Sequence, residues 1–440
     1  MRWAPLLLVL APVACSDGPV GSDRWIVWLS TDAPTPYLVD HARIELLDAN
    51  GGPACSACTR DVAVPTAAAE WPLEIAFDPV GVPAPRIRVR LYRADRVDEG
   101  GAPRVLTTID HVGILPPARG MTDVAVDVHA ECIGIPTRLD TRQTCAGDAR
   151  TVGPEATVPS GRGTPAFLPG SWARARQRTC IEDAAQGTVC VPGGLFILGA
   201  APTGPERYVQ LAPVYLDRAE MTVGRLRAIL REGKVIGAPA LRSSDPGLPT
   251  SACTWLGLDD PANDALPVNC VSHAFADAVC TAAGRRLPTE AEWEWTAGNL
   301  LRESPMPWSD ETKDPCDQAD LALAAPGGDV AASACVRGGK GPGLPPVPNP
   351  ADVTVLGVGG MGGTLAEWVA DTFAPYDAPC WSPETVFLNE PRCEGPGPAV
   401  VRGSGWADPP GFAAALARRS FPRETLSPGI GFRCTFTSLE

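Results

Sequence analysis

Lysine is almost missing from this 440-residue chain, which has it only at Lys234, Lys313 and Lys340. Arginine supplies the remaining positive charge, and the formal net charge is −14. Nucleic-acid binding needs clustered basic side chains to neutralise phosphates, so that class of partner is excluded. No apolar run after the N-terminus approaches the ~20 residues of a membrane-spanning helix. Histidine is also scarce: His41, His111, His129 and His273 are the whole supply. None of them has H-x-x-x-H or H-x-x-x-E spacing on a helix, so the sequence offers no helical metal pair. There is no Ser-His-Asp set and no phosphate loop. Acidic pairs such as Asp259-Asp260 lie in Gly/Pro-rich context and read as solvated loop charges. What is plentiful is glycine (45) and proline (48), so much of the chain must be turn and loop.

The first residues read as an export signal. Arg2 gives a short positive region, and an apolar stretch from Ala4 to Val13 is too short to span a membrane. Ala14-Cys15 follows, a small residue before a cysteine. Bacterial lipoprotein signals look like this, with cleavage after residue 14 and lipid on Cys15. The alternative is ordinary cleavage without lipid. Ser16 is not an aspartate, so nothing signals retention at the inner membrane, and an outer-membrane anchor is expected. The expected layout is a signal peptide over 1–14 and a tether over 15–22. An all-β, sandwich-like domain follows over 23–133, then a disulfide-pinned linker over 134–185 and a C-terminal domain over 186–440.

Fifteen cysteines include Cys15, which leaves an even number. Outside any metal-type array, such a count belongs in an oxidising compartment. Close spacing suggests Cys55 with Cys58, Cys132 with Cys145, Cys180 with Cys190, Cys253 with Cys270, Cys316 with Cys335 and Cys380 with Cys393. Cys280 and Cys434 are left as a long-range pair. Spacing alone does not decide connectivity. Cys55-Ser-Ala-Cys58 can be read as a redox or zinc motif. It has no second C-x-x-C and no helical context, so the reading is a plain disulfide.

The N-terminal domain shows strand patterning at Trp25-Ile-Val-Trp-Leu29, Ala42-Arg-Ile-Glu-Leu46, Leu73-Glu-Ile-Ala-Phe77, Ile87-Arg-Val-Arg-Leu91 and Val124-Ala-Val-Asp-Val128. Short strands separated by turns suggest an antiparallel sandwich. Arg86, Arg88 and Arg90 alternate with apolar residues and share one face, expected to be solvated. Residues 134 to about 183 are rich in Pro, Gly and Thr and read as linker.

In the C-terminal domain, Cys190-Val-Pro-Gly-Gly-Leu-Phe-Ile-Leu-Gly199 reads as a strand. A helix is expected after Thr222, with Val223, Leu226, Ile229 and Leu230 as its apolar face and Gly233 as its stop. A second helix starts near Ser272 and stops at Gly284. In Gly284-Arg-Arg-Leu-Pro-Thr-Glu-Ala-Glu-Trp-Glu-Trp295, Thr289 and Glu292 form a capping box after Pro288. That string also closely resembles the GKRLPTEAEWEYA signature of the formylglycine-generating-enzyme, or sulfatase-modifying-factor, family. Other pieces follow in the family's order. Pro267-Val-Asn-Cys-Val-Ser272 resembles PVNCVSW, and Met306-Pro-Trp308 resembles PWG. Gly357-Val-Gly-Gly-Met-Gly-Gly-Thr-Leu-Ala-Glu-Trp368 resembles GLYDMAGNVWEW. Val401-Arg-Gly-Ser-Gly-Trp406 resembles VLRGGSW, and Gly429-Ile-Gly-Phe-Arg-Cys434 resembles the terminal GFRC.

The resemblance implies an α+β, C-type-lectin-like fold with little regular secondary structure. It also implies a Cys280–Cys434 disulfide. Catalytic relatives oxidise a cysteine of a sulfatase precursor to formylglycine, using oxygen and copper. Two cysteines after the RGGS motif hold Cu(I), which selects soft thiolates. Here Arg402 to Ser420 contains no cysteine, and the expected positions fall near Asp408 and Ala413. Neither residue supplies a soft ligand, so no catalytic residue is assigned and copper is not expected. Calcium is the cofactor left open. Its family ligands would correspond to Thr364 and Glu367, with Asp320 near a second site. Thr364 and Glu367 also make T-x-x-E, so a helix cap competes with that role. Another branch of the family makes C–S bonds with histidine-held iron, for which this chain lacks the histidines. His273 stands where relatives have Trp and reads as a packed or half-exposed side chain.

The expectation is therefore a lipid-anchored envelope protein with a non-enzymatic binding or scaffold module. Its partner would be a protein or glycan in the cell envelope. Trp368, Trp381 and Trp406 are candidates to line its ligand surface, or else to fill the core. The rival expectation is a divergent metal-dependent oxidoreductase of the same family.

Overall fold

A computed structural model describes residues 23–437, apart from 83, 148–149, 164–167, 182–183, 200–205, 246–247, 250, 309, 311, 324–334, 336–343, 346–347 and 382–385. The signal peptide, Cys15 and the tether lie outside the described residues. The chain divides into two compact units at Trp172/Ala173.

The first unit is built from β1 (Arg24–Thr31), β2 (His41–Leu47), β3 (Thr59–Ala63), β4 (Leu73–Phe77), β5 (Arg86–Tyr92), β6 (Ile109–Ile114), β7 (Met121–Val128), β8 (Gln143–Ala146) and β9 (Thr151–Pro154). One sheet has the order β4-β1-β7, another β3-β2-β5-β6, and β8-β9 is a separate hairpin. The pairing is not wholly antiparallel: β1 runs parallel to β7, from Arg24 opposite Met121 to Thr31 opposite Val128. Alternation explains the interior, since Trp25, Val27, Leu29, Ile44, Leu46, Ile87, Val89 and Leu91 are all buried.

Two expectations for this half need correcting. The stretch read as a linker does not behave as one up to Trp172. Ile114 N–H donates to Ala156 O (2.9 Å), Ala125 N–H to Pro159 O (3.0 Å), and the Trp172 indole to Glu131 (2.8 Å). Pro, Gly and Thr here mark a chain that crosses a sheet edge in short ladders rather than a free spacer. Nor is the arginine face solvated. Arg86 is buried against Glu155 (3.0 Å), Arg88 makes a two-pronged contact with Asp110, and Arg90 meets Glu45 (2.7 Å). The carboxylates come from β2, β6 and the segment after β9, which strand periodicity alone does not place opposite β5.

The second unit contains β10 (Thr188–Val191), β11 (Gly194–Leu198), β12 (Arg207–Leu211), β13 (Val214–Asp217), α1 (Val223–Arg231), α2 (His273–Ala282), α3 (Glu290–Ala297) and α4 (Pro315–Gln318). It continues with β14 (Ala366–Thr372), β15 (Phe387–Asn389), β16 (Ala399–Arg402), β17 (Arg418–Phe421), β18 (Ile430–Phe432) and β19 (Thr435–Thr437). These form three small sheets, ordered β10-β13-β19, β11-β12-β15 and β17-β16-β14-β18. The expected single strand at 190–199 is two strands in different sheets, broken at Pro192-Gly193. A Cβ on Gly193 would lie 2.5 Å from the Leu211 carbonyl, so only glycine permits that crossing. Thr222 and Ser272 cap α1 and α2, and Gly233 and Gly284 follow them with φ of +71° and +70°.

Long loops are fastened covalently. Disulfides join Cys180–Cys190, Cys253–Cys270, Cys280–Cys434, Cys316–Cys335 and Cys380–Cys393 in this unit. Cys55–Cys58 and Cys132–Cys145 are in the first. Cys280–Cys434 ties α2 to the segment between β18 and β19 across 154 residues.

Candidate functional site

The centre of the second unit is α3, all eight residues of which are buried. Its start is fixed by the capping box: Glu292 N–H donates to Thr289 Oγ1, and Thr289 N–H to Glu292 Oε2. Arg286 clamps the same Glu292 carboxylate through both terminal nitrogens (2.6 and 2.7 Å). Burial of three glutamates on one short helix requires compensation, because an unpaired buried charge is costly. Arg402, at the end of β16, supplies it by bonding Glu290 (3.0 Å) and Glu294 (2.6 Å). Arg418 on β17 takes both oxygens of Glu290. Burial nevertheless holds the Glu294 carboxyl above its ordinary range, with Arg402 pulling the other way. Arg418 also lies over the rings of Phe373 and Tyr376, 4.5 and 4.4 Å from their centroids.

A second buried pair meets α3 at Trp293, whose ring also lies under Arg402. Arg433 bonds both oxygens of Glu367, and the Trp293 indole donates to Glu367 Oε2 (2.9 Å). Arg433 also donates to the carbonyls of Asp217 and Gly359. Sequence reasoning named Glu367 and missed Arg433, although the arginine of Gly-Phe-Arg-Cys434 was in view. A wholly buried arginine inside an apolar motif is itself the signal that a carboxylate faces it.

The three motif segments around Thr364 do meet. Thr364 N–H donates to the Asp320 carbonyl (2.8 Å), and Thr364 O accepts from Trp406 N–H (2.9 Å). Thr364 has φ of +70° and does not cap a helix, since the residues from Ala366 onward are β14. The helix-cap account of Thr364 and Glu367 is thus wrong. The left-handed turn at Thr364 feeds a strand, and T-x-x-E spacing cannot distinguish the two. As a calcium set the residues do not fit. Both Glu367 oxygens are committed to Arg433 and Trp293, and Asp320 Oδ2 accepts from Asn349 N–H (2.7 Å). Of these three residues, only Thr364 keeps a buried side-chain oxygen without a partner, Oγ1, far short of the six to eight oxygens that calcium takes. Among the described residues there is no group of three or more His, Cys, Asp or Glu able to hold a metal ion.

Where the copper cysteines would stand, Asp408 accepts from Gly405 N–H (2.6 Å) and pairs with Arg419 (2.7 Å), and Ala413 is buried. Gly403 before them is forced by space, its φ being +75° and a Cβ falling 2.8 Å from the Met361 carbonyl. An acid–base pair and a methyl group supply no soft donor, so the residues do not fit copper either.

The three tryptophans proposed for a ligand surface are all buried. The indoles of Trp368 and Trp406 donate to Val271 O and Pro428 O. They fill the core, because the small sheets leave wide gaps that only large side chains close. His273 is likewise packed, its Nε2 on Val369 O and its Nδ1 beside Arg423 (both 2.9 Å), and burial lowers its pKa. Arg423 can only donate, so Nδ1 accepts and Nε2 carries the proton.

A family profile described as "Sulfatase-modifying factor enzyme 1-like domain" matches residues 175–437. The chain belongs to that family. Among its relatives are the inactive C-alpha-formylglycine-generating enzyme 2 of Mus musculus and the formylglycine-generating enzyme of Thermomonospora curvata. The first is 27% identical, covering 56% of this chain and 84% of the relative. The second is 29% identical, covering 30% and 56%, so the match spans little more than half of that enzyme. A hercynine oxygenase of Mycolicibacterium thermoresistibile is 32% identical over 35% of this chain and 31% of its own. Among solved structures, PvdO from Pseudomonas aeruginosa aligns over 60% of this chain and 99% of its own, at 24% identity and a TM-score of 0.39.

Proposed function

We propose that this chain is a non-catalytic, C-type-lectin-like binding or scaffold module of the sulfatase-modifying-factor family, carried on an exported lipoprotein. Its ligand would be a protein or glycan of the cell envelope, and its anchor a lipid on Cys15. The observation that carries the reading is at Asp408 and Ala413. One position is taken up by Arg419 and a backbone amide, and the other is a buried methyl. The cysteines of the described residues are all in disulfides, and a disulfide sulfur is a poor soft ligand. Relatives include a protein named inactive, so loss of chemistry has precedent in the family.

The rival reading is a divergent metal-dependent oxidoreductase. A thiol count with metal analysis on chelator-free protein separates the two. No free thiols and no copper or iron are expected. Two free thiols with about one equivalent of either metal, together with oxygen uptake on cysteine peptides, would install the rival. Radiolabelled palmitate incorporation that disappears in Cys15→Ser tests the anchor.

A further inference from the structure

We propose that Cys55–Cys58, in the first unit, is a thiol–disulfide exchange site whose substrate is an external dithiol or protein disulfide. Sequence alone set this C-x-x-C aside for want of a second C-x-x-C and of a helix. The structure supplies other grounds.

The two sulfurs are unequal. Cys55 is exposed at the tip between β2 and β3, while Cys58 is buried at 2%. Among the described residues, no other disulfide cysteine is exposed. Cys55 is therefore the disulfide residue most open to an incoming thiolate, with Cys180, Cys190, Cys316 and Cys380 only partly exposed.

The tip is held without the disulfide. Ala54 N–H donates to Leu46 O (2.8 Å), and Leu46 N–H donates to Cys58 O (2.9 Å). One residue of β2 thus pins both flanks, and Cys58 N–H on Cys55 O (3.1 Å) closes the turn. Opening the bond leaves the two thiols as neighbours, ready to re-form it. The cost to the fold is the smallest of the seven, because stabilisation by a crosslink grows with the loop it closes. This loop spans three residues, against 10 to 154 for the rest.

Arg60 completes the set. Its guanidinium bonds the carbonyls of Ala57 (2.5 Å) and Thr59 (3.4 Å), the residues flanking Cys58. Burial of Cys58 opposes a thiolate there, and a positive charge held on the residues either side of it works the other way.

The step balances. A donor thiolate attacks Cys55 Sγ, the Cys55–Cys58 bond breaks, and its electron pair leaves on Cys58 Sγ, which takes a proton. The donor's second thiol then resolves the mixed disulfide. The donor ends oxidised to its disulfide, and this chain gains two thiols. The reverse sequence starts from the two thiols of this chain and reduces the disulfide of an oxidised client.

The test is graded dithiothreitol on the native full-length protein, with maleimide trapping and peptide mass mapping. Cys55 and Cys58 should be labelled at a reductant concentration at least tenfold below that for any other cysteine, with circular dichroism unchanged. Oxidised glutathione should then restore this one bond. Cys58→Ser should form a glutathione adduct at Cys55 at least tenfold faster than Cys55→Ser forms one at Cys58. Arg60→Ala should slow opening of the bond several-fold. Opening only in step with the other disulfides on unfolding, or equal reactivity of the two single variants, would overturn the proposal.

Discussion

Both units bury arginines against carboxylates, but they use the pairs differently. In the first, Arg86 with the enclosed Glu155 is the exception, while Arg88 and Arg90 reach Asp110 and Glu45 on strands that already share a hydrogen-bonded ladder with β5. The pairs decorate a sheet whose backbone is satisfied without them, and they keep some contact with water. In the second, Arg402 joins β16 to a helix more than a hundred residues earlier, with both partners fully enclosed. Arg433 likewise binds Glu367 and two loop carbonyls at once. Where sheets are short and loops long, charge pairs hold segments that no ladder connects. The enclosed pairs should therefore behave as parts of the frame, and the sheet-face pairs as local trim.

Arg402→Met breaks that comparison most directly. It leaves Glu294 buried without its cation, and the expected loss is about 3–5 kcal/mol in urea denaturation. Arg88→Met removes a two-pronged contact near solvent and should cost about 1–3 kcal/mol. Equal losses would mean that both networks are structural in the same sense. Next in size is the Cys280→Ser/Cys434→Ser double variant, for which about 2–5 kcal/mol is expected. A loss no larger than that of Cys55→Ser/Cys58→Ser would show that the long-range bond adds nothing to the packing around it.

The enclosed acids also make the second unit sensitive to pH. Burial pushes Asp352 up to about 7, against Gly362 and Gly363 amides that favour its charged form. Glu220 is raised by burial too, with Glu367 and Asp352 close by. A carboxyl that keeps its proton in the fold but loses it near pH 4 when unfolded makes stability fall as pH rises between those values. Asp352 alone contributes up to about 1.4 kcal/mol per pH unit from pH ~4 to ~7. Asp352→Asn should flatten the curve of urea midpoint against pH in that window. An unchanged slope would remove Asp352 as its source.

The sequence made local order readable and hid what is held across distance. Caps at Thr222, Ser272 and Thr289 were legible because each needs only a residue and its third neighbour. Ordered motifs gave the family. The partners of Arg86, Arg88 and Arg90 were not legible, because strand order decides which carboxylate lies opposite. Thr364 was misjudged because a left-handed residue before a strand and a helix cap share one spacing. Trp381 and Trp406 gave no sign of burial, since they come from segments with almost no periodicity. At Asp408 the absence of a thiol was plain, but not what replaced it: Arg419 lies in a strand that follows a loop without pattern.

The smallest effect belongs to that replacement. Asp408 and Arg419 sit at the edge of the frame, with side chains 25% and 15% exposed. Asp408→Asn keeps an acceptor for the Gly405 amide and removes the charge. The expected cost is about 0–1 kcal/mol, lessened by added salt, as for pairs in contact with water. A loss as large as that of Arg402→Met would make position 408 part of the frame, and its aspartate a structural requirement. A small loss means that the fold asks little of this position. In that case the residue there is free to answer to a ligand or to nothing, and chemistry once seated beside it could be lost without unmaking the domain.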